Sequence, residues 1–139
     1  MAWSDQEPPQ PARIFTLAEA TCLLPRLERY LRAAQQGHRV LLYTKEDIRK
    51  ASTHAALGGG SLVGVQYIRA LEQVYESLQA IHELGVIVKD VKAGLCDFPY
   101  HLNGRLVYLC WKLGEEAIHW WHEVDQGYAG RQALPSRFP

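Results

Sequence analysis

The sequence carries little cysteine, no net charge and no long hydrophobic run. Lysine and arginine number 15, as do aspartate and glutamate, so the formal net charge is zero. Electrostatic binding to nucleic acid or to an anionic membrane requires a basic surface, so this balance argues against both partners. No apolar run approaches the roughly 20 residues of a membrane span. We therefore expect neither a nucleic-acid binder nor a membrane protein.

The three cysteines, Cys22, Cys96 and Cys110, are far apart and form no C-x-x-C pair. An odd number of widely spaced cysteines is typical of reduced thiols. Residues 1–13 contain charges and prolines but no apolar stretch, so they do not resemble a signal peptide. These features predict a cytoplasmic protein without disulfides. The missing C-x-x-C pair also argues against a zinc knuckle.

The chain length of 139 residues, 47% of them hydrophobic, fits one domain with one core. Residues 1–13 are predicted to be an extended N-terminal arm, and 14–139 a single α+β domain. Within that domain we predict a helical hairpin over 16–84, a β region over 86–125 and coil over 126–139.

The first helix begins with a capping box formed by Thr16 and Glu19. Apolar residues then recur at spacings of three and four, and the same count continues into polar positions. This seam comprises Leu17, Ala20, Leu24, Leu27, Leu31, Ala34, His38, Leu41, Lys45 and Ile48. Pro25 predicts a kink or a break. At His38 and Lys45 either the seam becomes exposed, or the two residues set the register of a helical dimer.

The second helix follows the loop Gly58-Gly59-Gly60-Ser61, in which Ser61 is the predicted N-cap. Gly85 is suited to end it. Its apolar face comprises Leu62, Tyr67, Ile68, Leu71, Val74, Tyr75, Leu78 and Ile81. Two antiparallel helices cannot bury both stripes against each other alone, so each needs a sheet or a second copy. We therefore predict a homodimer in which the hairpin packs on a small antiparallel sheet.

The β region contains Asn103-Gly104 between two extended runs, the strongest short hairpin signal. A two-residue turn there pairs Leu102 with Arg105 and Asp97 with Cys110. Because side chains alternate between faces, the predicted core face comprises Cys96, Phe98, Tyr100, Leu102, Val107, Leu109 and Trp111.

A third strand is predicted over 117–124. If residues 113–116 form a tight hairpin loop, Lys112 pairs with Ala117, and Asp97, Cys110 and His119 form a row on the polar face. His122 then lies on the apolar face with Ile118, Trp120 and Val124. The row could hold zinc or iron, or its cysteine and histidine could form a nucleophile. The alternative is three unrelated side chains on a half-exposed face.

Two further groups are candidates. His122, with Glu123 and Asp125 next in sequence, could be a perturbed general base, or a core histidine satisfied by a backbone carbonyl or buried carboxylate. The segment from Gly127 through Gly130 to Arg131 could bind a small anion. Alternatively, Arg131 pairs with Asp125 or Glu123.

Several stretches between Phe15 and Gln132 together resemble a known family. They are Phe15-Thr16-Leu17, Leu23-Leu24-Pro25, Gly85-Val86, Val88-Lys89-Asp90, Gly94-Leu95, Asp97-Phe98-Pro99, Val107-Tyr108-Leu109-Cys110-Trp111, Leu113-Gly114-Glu115, Trp121-His122-Glu123, Asp125, Gly127 and Ala129-Gly130-Arg131-Gln132. The chain resembles domain-of-unknown-function family 2203, a set of small bacterial proteins. The resemblance implies a helical hairpin followed by a small β region, and no established activity. Positions that match the pattern include Asp90, Asp97, Cys110, Glu115, His122, Asp125 and Arg131. His119 does not match, so the resemblance favours His122 and Asp125 over His119 as candidate site residues.

Three functional hypotheses follow. The leading one is a non-enzymatic binding or assembly module whose hairpin contacts its own copy or a protein partner, because no complete catalytic constellation is present. The second is a metal-binding protein or metal-dependent enzyme that uses Asp97, Cys110, His122 and nearby carboxylates. No cofactor is identified, although zinc or iron would fit these ligands. The third is small-anion binding at 127–131.

Overall fold

The computed structural model describes residues 11–53 and 62–135. Two helices, α1 (Leu17–Thr53) and α2 (Leu62–Glu83), precede five strands. The strands are β1 (Ile87–Asp90), β2 (Leu95–Leu102), β3 (Arg105–Lys112), β4 (Trp120–His122) and β5 (Gln132–Ala133). They form one antiparallel sheet in chain order, which confirms the α+β prediction. The Gly58–Ser61 loop and the first ten residues of the predicted arm lie outside the described residues.

The start of α1 is fixed by the predicted capping box. The Thr16 hydroxyl accepts a hydrogen bond from the Glu19 backbone N–H at 3.1 Å, and the Glu19 carboxylate accepts one from the Thr16 N–H at 3.2 Å. The helix continues through Pro25, so of the predicted kink or break the break is wrong and the kink stays a prediction. Pro25 is exposed, whereas Leu24 and Leu27 beside it are buried in the core. Their packing offsets the one backbone hydrogen bond that proline removes.

The core lies between the first half of α1 and one face of the sheet. It includes Leu24, Leu27 and Leu31 of α1 and Ile81 of α2. The predicted core residues of β2 and β3 belong to it or pack against it, namely Cys96, Phe98, Tyr100, Leu102, Val107, Leu109 and Trp111. The α1 seam predicted up to Ala34 is therefore confirmed.

Over residues 35–50, where the burial of α1 side chains is described, the buried positions are Gly37 and Thr44 instead of His38 and Lys45. Lys45 is exposed, as expected if the predicted seam leaves the core here. The shift arises because α1 packs mainly against α2 here, although Gln35 also donates to the Val91 and Lys92 carbonyls of the β1–β2 turn. A Cβ atom on Gly37 would lie 2.8 Å from the Val74 side chain and 3.0 Å from the Ala70 carbonyl oxygen, so the two helices approach closely at this glycine.

The β2–β3 hairpin has the predicted register, with Leu102 opposite Arg105 and Asp97 opposite Cys110. Asn103 and Gly104 have φ angles of 53° and 77°. Positive φ at both central residues is what a type I′ turn requires.

The register predicted for the third strand is wrong by one residue. Cys110 pairs with Trp120 instead of His119, and Tyr108 pairs with His122. Trp121 therefore faces the core, and His122 lies on the opposite face. The cause is the 113–119 connection, which is longer than a tight loop. The Trp111 indole N–H of β3 donates to the Glu115 carbonyl of this connection at 3.0 Å. β4 begins only at Trp120.

The tail is not coil throughout. Tyr128–Gly130 forms a single 3₁₀ turn, and Gln132 in β5 pairs with Trp121 at the edge of the sheet. The Leu134 N–H donates to the His119 carbonyl at 2.8 Å. Across the two described ranges, neither helix combines the length and the apolar character needed to cross a membrane.

Candidate functional site

A polar cluster lies on the sheet face that points away from the helices. It consists of Asp97 in β2, Cys110 in β3 and His122 in β4, each at most 2% exposed. One ligand atom from each side chain lies within 4.8 Å of the other two. The Nε2 atom of His122 is 3.0 Å from Oδ1 of Asp97. Three adjacent strands thus bring a carboxyl, a thiol and an imidazole together.

The second ring nitrogen of His122 fixes its protonation pattern. Nδ1 lies 2.7 Å from the backbone carbonyl oxygen of Glu123. A carbonyl oxygen only accepts hydrogen bonds, so Nδ1 carries a proton. Nε2 then either accepts a proton from Asp97 or, in the imidazolium, donates one to it. In both forms a single proton lies between His122 and Asp97, and the pair is neutral overall.

Asp97 is incompletely satisfied. Its Oδ2 atom is buried and has no hydrogen bond of good geometry among the described residues, although the Cys110 thiol lies close enough to interact with the carboxyl. Burial raises the pKa of this carboxyl above its usual value, and the hydrogen bond with His122 opposes that effect only in part. A buried acceptor without a donor costs about 1–3 kcal/mol, so this oxygen calls for an explanation.

Burial dominates the chemistry of the two thiols in the sheet, Cys96 and Cys110, whereas Cys22 is exposed on α1. Burial and the nearby Asp97 carboxyl raise the pKa of Cys110 to about 11, although Arg131 acts in the opposite direction. Burial raises the pKa of Cys96 to about 12, and this residue faces the core on the other side of the sheet. A nucleophilic cysteine needs a thiolate and access to substrate. Cys110 is a protonated and fully buried thiol, so the arrangement does not support the Cys–His nucleophile.

Arg131 covers the cluster from the C-terminal segment. Its guanidinium meets both carboxylate oxygens of Glu115, at 2.7 and 3.0 Å, and donates to the Cys110 carbonyl at 3.2 Å. It also lies over the rings of Tyr128 and Trp120. The expected pairing of Arg131 with a carboxylate is therefore present, but the partner is Glu115 instead of Asp125 or Glu123.

This pairing bears on the predicted anion site at 127–131. The guanidinium that would meet the anion already binds Glu115, and the Gly130 N–H donates to the Gly127 carbonyl at 2.9 Å. The Arg131 N–H likewise donates to the Tyr128 carbonyl, at 3.2 Å. Small-anion binding stays a prediction, without further support from the geometry.

The remaining predicted site residues do not join the cluster. His119 is exposed, so the predicted row of Asp97, Cys110 and His119 is wrong. The Glu123 side chain forms an ion pair with Arg105 at 2.7 Å and contributes only its backbone carbonyl to His122. Asp125 is exposed.

A second candidate surface is the outer face of the helical hairpin. Among the helix side chains that the structure describes, six large apolar ones are exposed, namely Leu42, Tyr43, Val65, Ile68, Leu71 and Tyr75. Ile68, Leu71 and Tyr75 belong to the apolar face predicted for α2, but helical spacing alone does not show which residues of that face α1 covers.

The fold and the cluster together define a small α+β protein with a buried carboxyl–thiol–imidazole group in its sheet. The chain belongs to the family of uncharacterized conserved proteins designated DUF2203, whose family model matches residues 13–134. This match confirms the resemblance noted from the sequence. No curated protein and no solved structure matches the chain.

Proposed function

We propose that this protein is a non-enzymatic assembly module that forms a homodimer through its helical hairpin. The observation that carries this proposal is a stripe of exposed apolar side chains on α2, formed by Val65, Ile68, Leu71 and Tyr75. Each of them is 48% to 68% exposed. Contiguous apolar surface of this kind on a helix is typical of an interaction site.

The stripe is distinct from the surface that α2 uses within the chain. Ala70, Ser77 and Ile81 are buried on the side of α2 that faces the rest of the molecule. The exposed residues recur every three or four positions over Val65–Tyr75, which gives one continuous outer face. α2 is thus apolar on two sides, and its own chain covers one of them.

Charge supports a second copy of the chain as the occupant of this face. α1 carries seven basic and four acidic side chains, whereas α2 carries one basic and three acidic ones. In a two-fold dimer, a contact between α2 of one copy and α1 of the other occurs twice by symmetry. Both contacts then bring helices of opposite net charge together, which favours this pairing over two α2 helices of like charge.

The cluster in the sheet favours a non-enzymatic role. Its three side chains are fully buried, so a substrate has no route to them. The hairpin, in contrast, presents an accessible surface. α1 is 37 residues long, or about 55 Å, and its distal half packs on α2 instead of the sheet. We infer that this extension serves contact with another molecule.

Sedimentation equilibrium of the full chain tests the proposal. We expect the wild type to sediment as a dimer and the Ile68→Lys variant as a monomer, because the lysine places positive charge against the basic α1 of the partner. Val124→Lys is the matched control, since Val124 is an exposed apolar residue beside β4; this variant should remain dimeric. A monomeric wild type, or Ile68→Lys dimers as stable as those of the wild type, would contradict the proposal.

A further inference from the structure

We propose that the chain binds one zinc ion between β2, β3 and β4, with Asp97, Cys110 and His122 as its protein ligands. The ion would be structural, because it would link three neighbouring strands of the sheet. This inference is independent of the assembly proposed for the hairpin.

The ligand set is one that zinc uses. Zinc in proteins binds cysteine sulfur, histidine nitrogen and carboxylate oxygen, at about 2.0–2.3 Å. Ligands of one ion must therefore lie a few ångströms apart, as these three do, all within 4.8 Å of one another. Each ligand comes from a different strand, and the pairing of Asp97 with Cys110 fixes two of them directly opposite each other.

The orientation of His122 also fits a metal. Histidine ligands almost always donate their second ring N–H to a carbonyl or carboxylate, which holds the ring in place. The hydrogen bond from Nδ1 to the Glu123 carbonyl, at 2.7 Å, is such a contact. Nε2, which lies 3.0 Å from Oδ1 of Asp97, would then be the metal-binding nitrogen, with the ion in place of the proton that the two residues share.

The unpartnered oxygen of Asp97 gives a second, independent reason. A hydrogen bond between Asp97 and His122 alone engages Oδ1 and leaves Oδ2 buried without a donor. A cation satisfies both oxygens, because a carboxylate can bind a metal through either or both of them. Zinc would displace the thiol proton of Cys110 and the proton that Asp97 and His122 share, and both protons would be released to solvent. The thiolate, the imidazole and the two oxygens would then give zinc four ligand atoms.

The surroundings suit a closed, structural site. All three ligands are buried, and structural zinc sites, unlike catalytic ones, are closed to substrate. The positive charge of Arg131 near Cys110 would oppose a cation. Glu115 neutralises it through two hydrogen bonds at 2.7 and 3.0 Å.

The test uses the full chain purified without chelator. We expect elemental analysis to find one zinc per chain, and chelator to remove it. Titration of the stripped protein with Co²⁺ should then produce the charge-transfer absorption of a cobalt–thiolate bond. Cys110→Ala should abolish this absorption and weaken Co²⁺ binding by more than about 100-fold, since even second-shell changes cost 10–100-fold.

Cys96→Ala is the matched control. Cys96 is as fully buried as Cys110, on the strand next to it, but faces the core, so this variant should keep the cobalt–thiolate absorption. His119→Gln, at an exposed position, should also keep it. If the Cys110 variant does not fold, the Co²⁺ titration of the stripped wild type tests the proposal by itself. A stripped wild type whose bound Co²⁺ gives no thiolate absorption, or that binds no Co²⁺, would overturn the proposal.

Discussion

Oδ1 of Asp97 lies 3.0 Å from Nε2 of His122, although β3 separates the two strands that carry these residues. On β3, Cys110 is opposite Asp97 and Tyr108 is opposite His122, so the contact runs diagonally across the face of β3 between these two residues. The small side chain of Cys110 leaves room for it. The three residues therefore form a single buried unit, whether or not an ion is present.

Breaking the Asp97–His122 pair should destabilise the fold. We expect Asp97→Asn and His122→Gln each to lower the free energy of unfolding by about 2–4 kcal/mol. Each substitution removes one partner of the pair and leaves the other buried without its hydrogen bond. The double variant should lose less unfolding free energy than the two single variants together. The difference, about 1–3 kcal/mol, is the coupling energy of the pair. Urea unfolding in the presence of chelator measures this without a contribution from metal.

Exposed residues of the same types provide the controls for that cycle. Asp125→Asn and His119→Gln should each change the free energy of unfolding by less than about 0.5 kcal/mol. Strictly additive losses at Asp97 and His122 would show that the two side chains do not interact.

The Glu115–Arg131 pair should make stability depend on pH. Burial alone would raise the pKa of Glu115, but hydrogen bonds from Arg131 and from the Lys112 N–H hold it below 4.5. A carboxyl with a lowered folded-state pKa stabilises the protein above its unfolded pKa, and this contribution is lost as the pH falls through the folded value. Glu115→Gln should therefore cost about 1–3 kcal/mol at about pH 7.

That difference from the wild type should shrink below about pH 4.5, the range in which Glu115 gains a proton. Chemical denaturation at a series of pH values measures it. Glu116→Gln is the control, because Glu116 is exposed and should show little effect at any pH. A loss for Glu115→Gln that stays constant down to about pH 3 would contradict this role of the pair.

Gly37 should be required for the close approach of the two helices. On an exposed helix, alanine is more favourable than glycine by about 1 kcal/mol. At Gly37 the added methyl would meet the Ala70 carbonyl oxygen at 3.0 Å and the Val74 side chain at 2.8 Å. We therefore expect Gly37→Ala to destabilise the protein by about 1–2 kcal/mol in urea unfolding. Gln36→Ala, at the exposed neighbouring position, should be nearly neutral, and a stabilised Gly37→Ala protein would refute the close contact.

The parts of the fold that local chemistry determines could be predicted from the sequence. Asn103-Gly104 admits few turn types, so it fixed the β2–β3 register and placed Asp97 opposite Cys110. Thr16 and Glu19 fixed the start of α1. In both places neighbouring residues form the contacts that decide the structure.

The register of β4 could not be predicted in this way. Trp120 and Trp121 are adjacent and both apolar, so alternation does not show which of them faces the core. The answer depends on the 113–119 connection, whose shape comes from side-chain contacts of Glu115 that no turn motif reveals. The one-residue error moved His122 away from Asp97 and Cys110 and put His119 in its place. The two residues of β5 are similarly too few to give a pattern.

The most direct test of the assembly module is an isotope-filtered NMR experiment on a mixture of methyl-labelled and unlabelled chains. We predict intermolecular NOEs from the methyl groups of Ile68 and Leu71 to the unlabelled copy, and none from Val107, which is buried in the core. If Ile68 and Leu71 give only intramolecular NOEs at concentrations where the protein is fully associated, the outer face of α2 is not the interface, and the central claim is wrong.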